Sequence, residues 1–110
     1  MINVSIYKNA ESLITGFKLS GHADFAEYGS DIVCAAVSAL VINTINSIEN
    51  FTSDKFTLNQ DEENGIIEFH VVSSMSNNSN LLLSSLGLGL KGIEDQYTKK
   101  YIHLTQISKQ

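Results

Sequence analysis

The chain has no arginine, no proline and a single cysteine, Cys34. Twelve acids stand against seven lysines, for a net charge of −5. Recognition of phosphates and bases leans on arginine's planar fork and on positive patches. The paired cations here amount to Lys99 and Lys100. Direct binding to nucleic acid is therefore not expected, and a partner with basic segments suits this surface better. One cysteine rules out an intrachain disulfide and fits a reducing compartment. It also removes every multi-cysteine zinc or iron–sulfur arrangement. Without proline, turns and helix ends must be read from glycine, serine, asparagine and aspartate.

Apolar runs are short by membrane standards, and none is read as long enough to span a bilayer. The start, "MINVSIYKNAE", lacks the basic residues and long apolar centre of a secretory signal. The expectation is a soluble cytoplasmic protein with no membrane contact. With 110 residues, 43% of them hydrophobic, residues 1–110 form one domain able to bury a core without staples.

Periodicity supplies the elements. Residues 2–7 (INVSIY) alternate apolar and polar as a half-buried strand does. After a polar turn at 9–12, residues 13–20 place Leu13, Phe17 and Leu19 on one face, completing a hairpin. Residues 21–30 (GHADFAEYGS) read as a loop. A helix from Asp31 to Glu49 follows, capped by Ser30 or Asp31; it is apolar almost all round, which predicts a central, buried helix. Strands near 55–59 and 66–72 flank the acidic turn "QDEENG". The polar stretch "SSMSNNSN" leads into a second helix at 80–97 with Leu82, Leu86, Leu90 and Ile93 in a stripe. A last strand covers 101–107. The order β-β-α-β-β-α-β predicts an α+β domain, an antiparallel or mixed sheet with two helices packed on it.

"GLGLKG" at Gly87, Gly89 and Gly92 spells a dinucleotide-binding fingerprint. That motif needs a strand before the glycines, a helix opening at them and an acid about twenty residues on. Here the glycines sit inside a leucine-rich helix near the end of the chain, so close helix packing is the better account and no nucleotide cofactor is expected. His70 and His103 alternate along strands, but no two of His22, Cys34, His70 and His103 have ligand-pair spacing, so no metal is assigned.

Cys34 carries the chemistry. If Asp31 caps the helix, the thiol lies in the first turn, where free N–H groups and the helix dipole favour an anion. Asp31 at i−3 and Ser38 at i+4 share its face, a polar stripe on an otherwise apolar helix. His22, following Gly21 at the end of the second strand, is placed to present an imidazole that could serve as general base and acid. A buried inert thiol remains the plain alternative.

The block "SGHADFAEYGSDIVCAAVSAL" resembles the ribosomal-processing cysteine protease family, Prp, and the likeness extends through "GLKGIEDQY" to the final strand. The resemblance implies an intracellular endopeptidase that removes a short N-terminal extension from the bacterial large-subunit ribosomal protein numbered twenty-seven. It implies Cys34 as nucleophile, His22 as general acid and base, and Gly21, Asp31 and Ser38 in support. Asp31 then either caps the helix or partners the imidazole, and N–H groups of the first helical turn contribute to an oxyanion hole. The loop His22–Ser30 becomes a candidate lid. Family substrates carry aromatic residues before the cut and lysines after it, which Phe25 and Tyr28 with Asp24 and Glu27 complement. A homodimer is expected, with Leu81–Gly92 compatible with an interface. Related phage enzymes process structural proteins. A non-catalytic ribosome-assembly domain and a metal or redox module on Cys34 are the competing functions.

Overall fold

The structure, a computed structural model, describes residues 1–21, 28–97 and 101–108, with the side chains of 28–31 outside the described part. The elements are β1 (Ile2–Lys8), β2 (Ile14–Ser20), α1 (Tyr28–Phe51), β3 (Phe56–Asp61), β4 (Ile66–Val71), α2 (Asn77–Tyr97) and β5 (Ile102–Ser108). This is the expected element order, and the sheet is mixed, as expected.

Alternation along the strands sorts their side chains. Ile2, Val4 and Ile6 of β1 point to one face with Phe17 and Leu19 of β2, Phe69 of β4 and Ile102 of β5, and all are buried. The five strands lie in the order β3-β4-β2-β1-β5. Neighbours run antiparallel except β1 and β5, which are parallel; α2 carries the chain from β4 across to β5. The β1–β2 turn is held by Asn9, whose side-chain oxygen accepts the N–H groups of Glu11 (2.9 Å) and Leu13 (3.0 Å).

Both helices cover the apolar face. Val33, Val37, Val41, Ile45 and Ile48 of α1 recur at steps of three and four and are buried with Leu83, Leu86 and Leu90 of α2. Beneath them Phe69 stacks on Phe17 (centroids 5.2 Å apart) and meets Phe56 at 4.8 Å. The second helix therefore uses Leu86 and Leu90 as expected, while Leu82 and Ile93 sit half-buried at the margin.

Expectations about both helices need correction. The first helix starts at Tyr28 instead of Asp31, so residues 28–30 are helical and not loop. Gly29 belongs to that loop-like stretch, but one glycine costs a helix only about 1 kcal/mol against alanine. Nor is α1 buried all round: Ile32 and Ile42 are exposed, as are Ala35, Ala39, Asn43 and Asn46. Its alanines and asparagines lack charge without belonging to the core. Ile32–Phe51 is also long and apolar enough, by length and composition, to cross a membrane. Its valine face instead packs on the sheet and on α2.

The second helix starts at Asn77, earlier than expected, because Ser76 supplies its cap: the Ser76 hydroxyl accepts the N–H of Ser79 at 3.2 Å. Inside α2, a side chain on Gly87 or Gly89 would press on Ile14 or Leu40 at 3.0 Å. Two of the three fingerprint glycines thus serve helix packing, while Gly92 faces open space.

Candidate active site

The first half of α1, the end of β2 and the β3–β4 turn converge at one end of the sheet, around a cleft of 270 Å³. Cys34, Val37, Ser38 and Ile42 form its helical wall. Cys34 and Ser38 are one turn apart and both half-buried, so the thiol and the hydroxyl share the cleft side of the helix. Ile2, Leu19 and Ile67 give an apolar floor.

Gly21 stands at the mouth with φ +101°, a left-handed conformation that side chains disfavour. A Cβ there would collide with the carbonyl oxygen of Met1. The Met1 backbone therefore passes close against Gly21.

The opposite wall is Gln60, Asp61, Glu62, Gly65 and Ile66, from the β3–β4 turn. Asp61 shapes this turn: its carboxylate accepts the Asn64 side-chain amide at 2.7 Å and the Asn64 backbone N–H at 3.1 Å. Those two bonds, the side-chain one first, hold the Asp61 carboxyl below the usual aspartate range and keep it an anion. Gly65, at φ +63°, closes the turn. The sequence marked "QDEENG" as an acidic turn but held no signal linking it to a thiol so far away in the chain. What brings it to the thiol is pairing: β4 lies beside β2, which ends at Ser20, next to Gly21.

Of the residues singled out in the sequence, Gly21, Cys34 and Ser38 are brought together. His22, Asp24, Phe25 and Glu27 lie outside the described residues. Tyr28 and Asp31 lie in the first turn of α1, with side chains outside the described part. This placement corrects Asp31 as helix cap, and Cys34 falls in the second turn. The four free N–H groups of a helix start belong to residues before the thiol, and the dipole effect fades within that first turn.

His70 and His103 are elsewhere. His70 Nε2 pairs with Glu68 Oε2 at 2.7 Å, and His103 Nδ1 lies 3.8 Å from Glu94 Oε2; neither lines the cleft. A larger cavity of 490 Å³, between α2 and the β1–β5 side of the sheet, contains Lys8, Ser84, Lys91 and Glu94 but no thiol or imidazole.

A half-exposed thiol on a helix, facing a cleft with an apolar floor and an acidic rim, defines the class: a thiol enzyme acting on an extended, partly apolar substrate. Comparison with known proteins agrees. The family model described as cysteine protease Prp matches residues 1–103. The ribosomal processing cysteine protease Prp of Staphylococcus aureus is 39% identical over 101 residues, covering 90% of this chain and 93% of its own. Its Bacillus subtilis namesake is 31% identical over 101 residues, covering 88% and 90%. The crystal structure of the S. aureus protease in complex with a substrate peptide has a TM-score of 0.89 at 34% identity, over 97% of this chain and 100% of its own. A second, with a covalently linked product peptide, has a TM-score of 0.87 at the same identity and coverage. The chain belongs to the Prp family and is a cysteine protease.

Proposed function

We propose that this protease removes the N-terminal extension of a bacterial large-subunit ribosomal protein in the cytoplasm, with Cys34 as nucleophile and His22 as general acid and base. The observation that carries the reading is Cys34 half-exposed on the wall of a cleft with an apolar floor and an acidic rim. The names of the S. aureus and B. subtilis relatives, ribosomal processing proteases, support the substrate. The relative with a covalently linked product peptide supports a covalent route.

In this mechanism the Cys34 thiolate attacks the scissile carbonyl carbon and a C–S bond forms. As the tetrahedral intermediate collapses, the C–N bond breaks and the departing amine takes a proton from the His22 imidazolium. Water then attacks the thioester while His22 accepts its proton; the C–S bond breaks, releasing the new carboxylate and restoring the thiolate. Ser38, on the thiol's face of α1, is a hydrogen-bond donor toward the reacting groups. Gly21 lets the backbone beside His22 approach the cleft. Asp31, in the first turn of α1, is the partner of the imidazole in this reading. Asp24, Phe25, Glu27 and Tyr28 contribute to substrate choice. The working enzyme is a homodimer, a reading supported by exposed Leu81 and Leu88 on the outer side of α2.

Mass spectrometry of a synthetic peptide copying the extension tests this. The wild type should cut one bond, and Cys34→Ala and His22→Ala should each abolish cutting. A folded wild type that leaves the peptide whole refutes the ribosomal substrate.

A further inference from the structure

The two edges of the sheet are finished differently. At the β5 edge the carboxylate of Glu94, from α2, accepts the N–H of Leu104 at 2.7 Å. The β3 edge has no comparable cover among the described residues. Val72 donates its N–H to the Lys55 carbonyl at 2.8 Å, which fixes the phase of the β3–β4 ladder. Antiparallel pairs alternate between bonded and non-bonded. The uninterrupted register from Phe56↔Val71 to Asp61↔Ile66 then makes Thr57, Asn59 and Asp61 the bonded positions. The N–H and C=O groups of Phe56, Leu58 and Gln60 point outward, and no described residue bonds them. The strand, FTLNQD, has neither the lysine nor the proline that usually blunts an edge.

This edge leads into the cleft. Gln60 and Asp61, at the end of β3, and Glu62 beyond them line the same space as Cys34. Leu58, 39% exposed, lies on the helix-facing side of β3, and Ile42, 48% exposed, lines the cleft from α1. Apolar rests therefore run beside an unpaired backbone toward the thiol.

We propose that the β3 edge is the docking rail for substrate. An extended segment of the protein substrate adds as a further strand beside Phe56–Gln60, exchanges main-chain hydrogen bonds with Phe56, Leu58 and Gln60, and delivers its scissile bond to Cys34. Strand addition of this kind takes its affinity from the main chain and its selectivity from alternate side chains. Here alternate apolar side chains rest on Leu58 and Ile42, and a cationic one meets Asp61 and Glu62. The proposal rests on the protease reading, and it explains how so small a cleft holds a flexible peptide.

The test uses Cys34→Ala protein with the extension peptide, after the wild type has been shown to cut it. Amide exchange resolved by residue should slow about tenfold or more at Phe56, Leu58 and Gln60 when peptide saturates, with Thr57 and Asn59 unchanged. Leu58→Pro removes an outward donor and no ladder bond, so KM should rise about tenfold with kcat retained. N-methylation of alternate peptide amides should weaken cleavage in one parity and spare the other. Saturating peptide that leaves those three amides exchanging freely overturns the rail while the protease reading stands. Protection that grows with protein concentration before peptide is added shows a second copy on the edge and overturns it too. If the wild type cuts no such peptide, the protease substrate has failed first, and the rail falls with it.

Discussion

The rings of Tyr7 and His70 stack at 5.1 Å and 28° on the helix-free face of the sheet, across the bare Cα of Gly16. Gly16 is the register partner of both. A Cβ at Gly16 would collide with the Phe69 carbonyl oxygen and press on His70 Nδ1 at 2.8 Å. Tyr7 is buried there, and burial, then the Glu68 charge, push its phenol up from the ordinary value. Gly16→Ala should cost about 1–3 kcal/mol through overpacking, seen as a lower urea midpoint at unchanged slope. An unchanged midpoint would show that the strands part without cost.

Glu94 should matter more than a surface acid does. It is 5% exposed and carries the Leu104 bond as well as Lys91 at 3.1 Å. Glu94→Ala leaves a main-chain donor unpaired and should lose about 2–3 kcal/mol in urea denaturation. Glu94→Gln keeps an acceptor and should lose about half as much.

Acid should loosen the start of α2. Hydrogen bonds from the Ser79 hydroxyl first, then the backbone and side chain of Ser76, hold the Asp54 carboxyl below its ordinary 3.8. A depressed folded-state pKa stabilises the protein above the unfolded value and ceases to do so as pH falls through the folded one. The urea midpoint of the wild type should therefore drop below about pH 4, and Asp54→Asn should flatten part of that drop. Asp61, lowered by Asn64, contributes in the same direction, so the Asp54 variant removes only a share.

Gly21→Ala tests the mouth of the cleft. Its left-handed φ and the Met1 carbonyl leave no room for a methyl group. The expected result is a loss of about 1–3 kcal/mol in stability, with kcat lowered more than KM changes, measured on protein shown to be folded by circular dichroism.

The acidic rim predicts a salt effect. Glu62 lines the cleft beside ionised Asp61. Glu62→Gln should lower kcat/KM for a lysine-bearing peptide at low salt and narrow the gap at high salt, where a Debye length of about 8–10 Å screens exposed charges. Equal salt dependence in variant and wild type would remove Glu62 from recognition.

Much of this fold was legible because its periodicities are clean. The alternation of Ile2, Val4 and Ile6 and the four-residue steps from Val33 to Ile45 specify faces without any knowledge of pairing. Helix starts were harder. Gly29 and Asn77–Asn80 have loop-like composition, yet the packed stripes behind them extend the helices backward. In the site, Cys34 and Ser38 were readable together because helix spacing is local. The wall at Gln60–Ile66 was not, since its place depends on strands β2 and β4 finding each other, which no local pattern encodes.

The same division has a temporal side. The chain is made from its N-terminus, at about 5–20 residues per second. Cys34 therefore exists before the turn that faces it. Until Ile67–His70 of β4 pair with Gly16–Leu19 of β2, the thiol has a helix behind it and no wall in front. A product ending after α1 is consequently a thiol-bearing fragment and not a small protease, and the enzyme acquires its cleft only when its two halves have met.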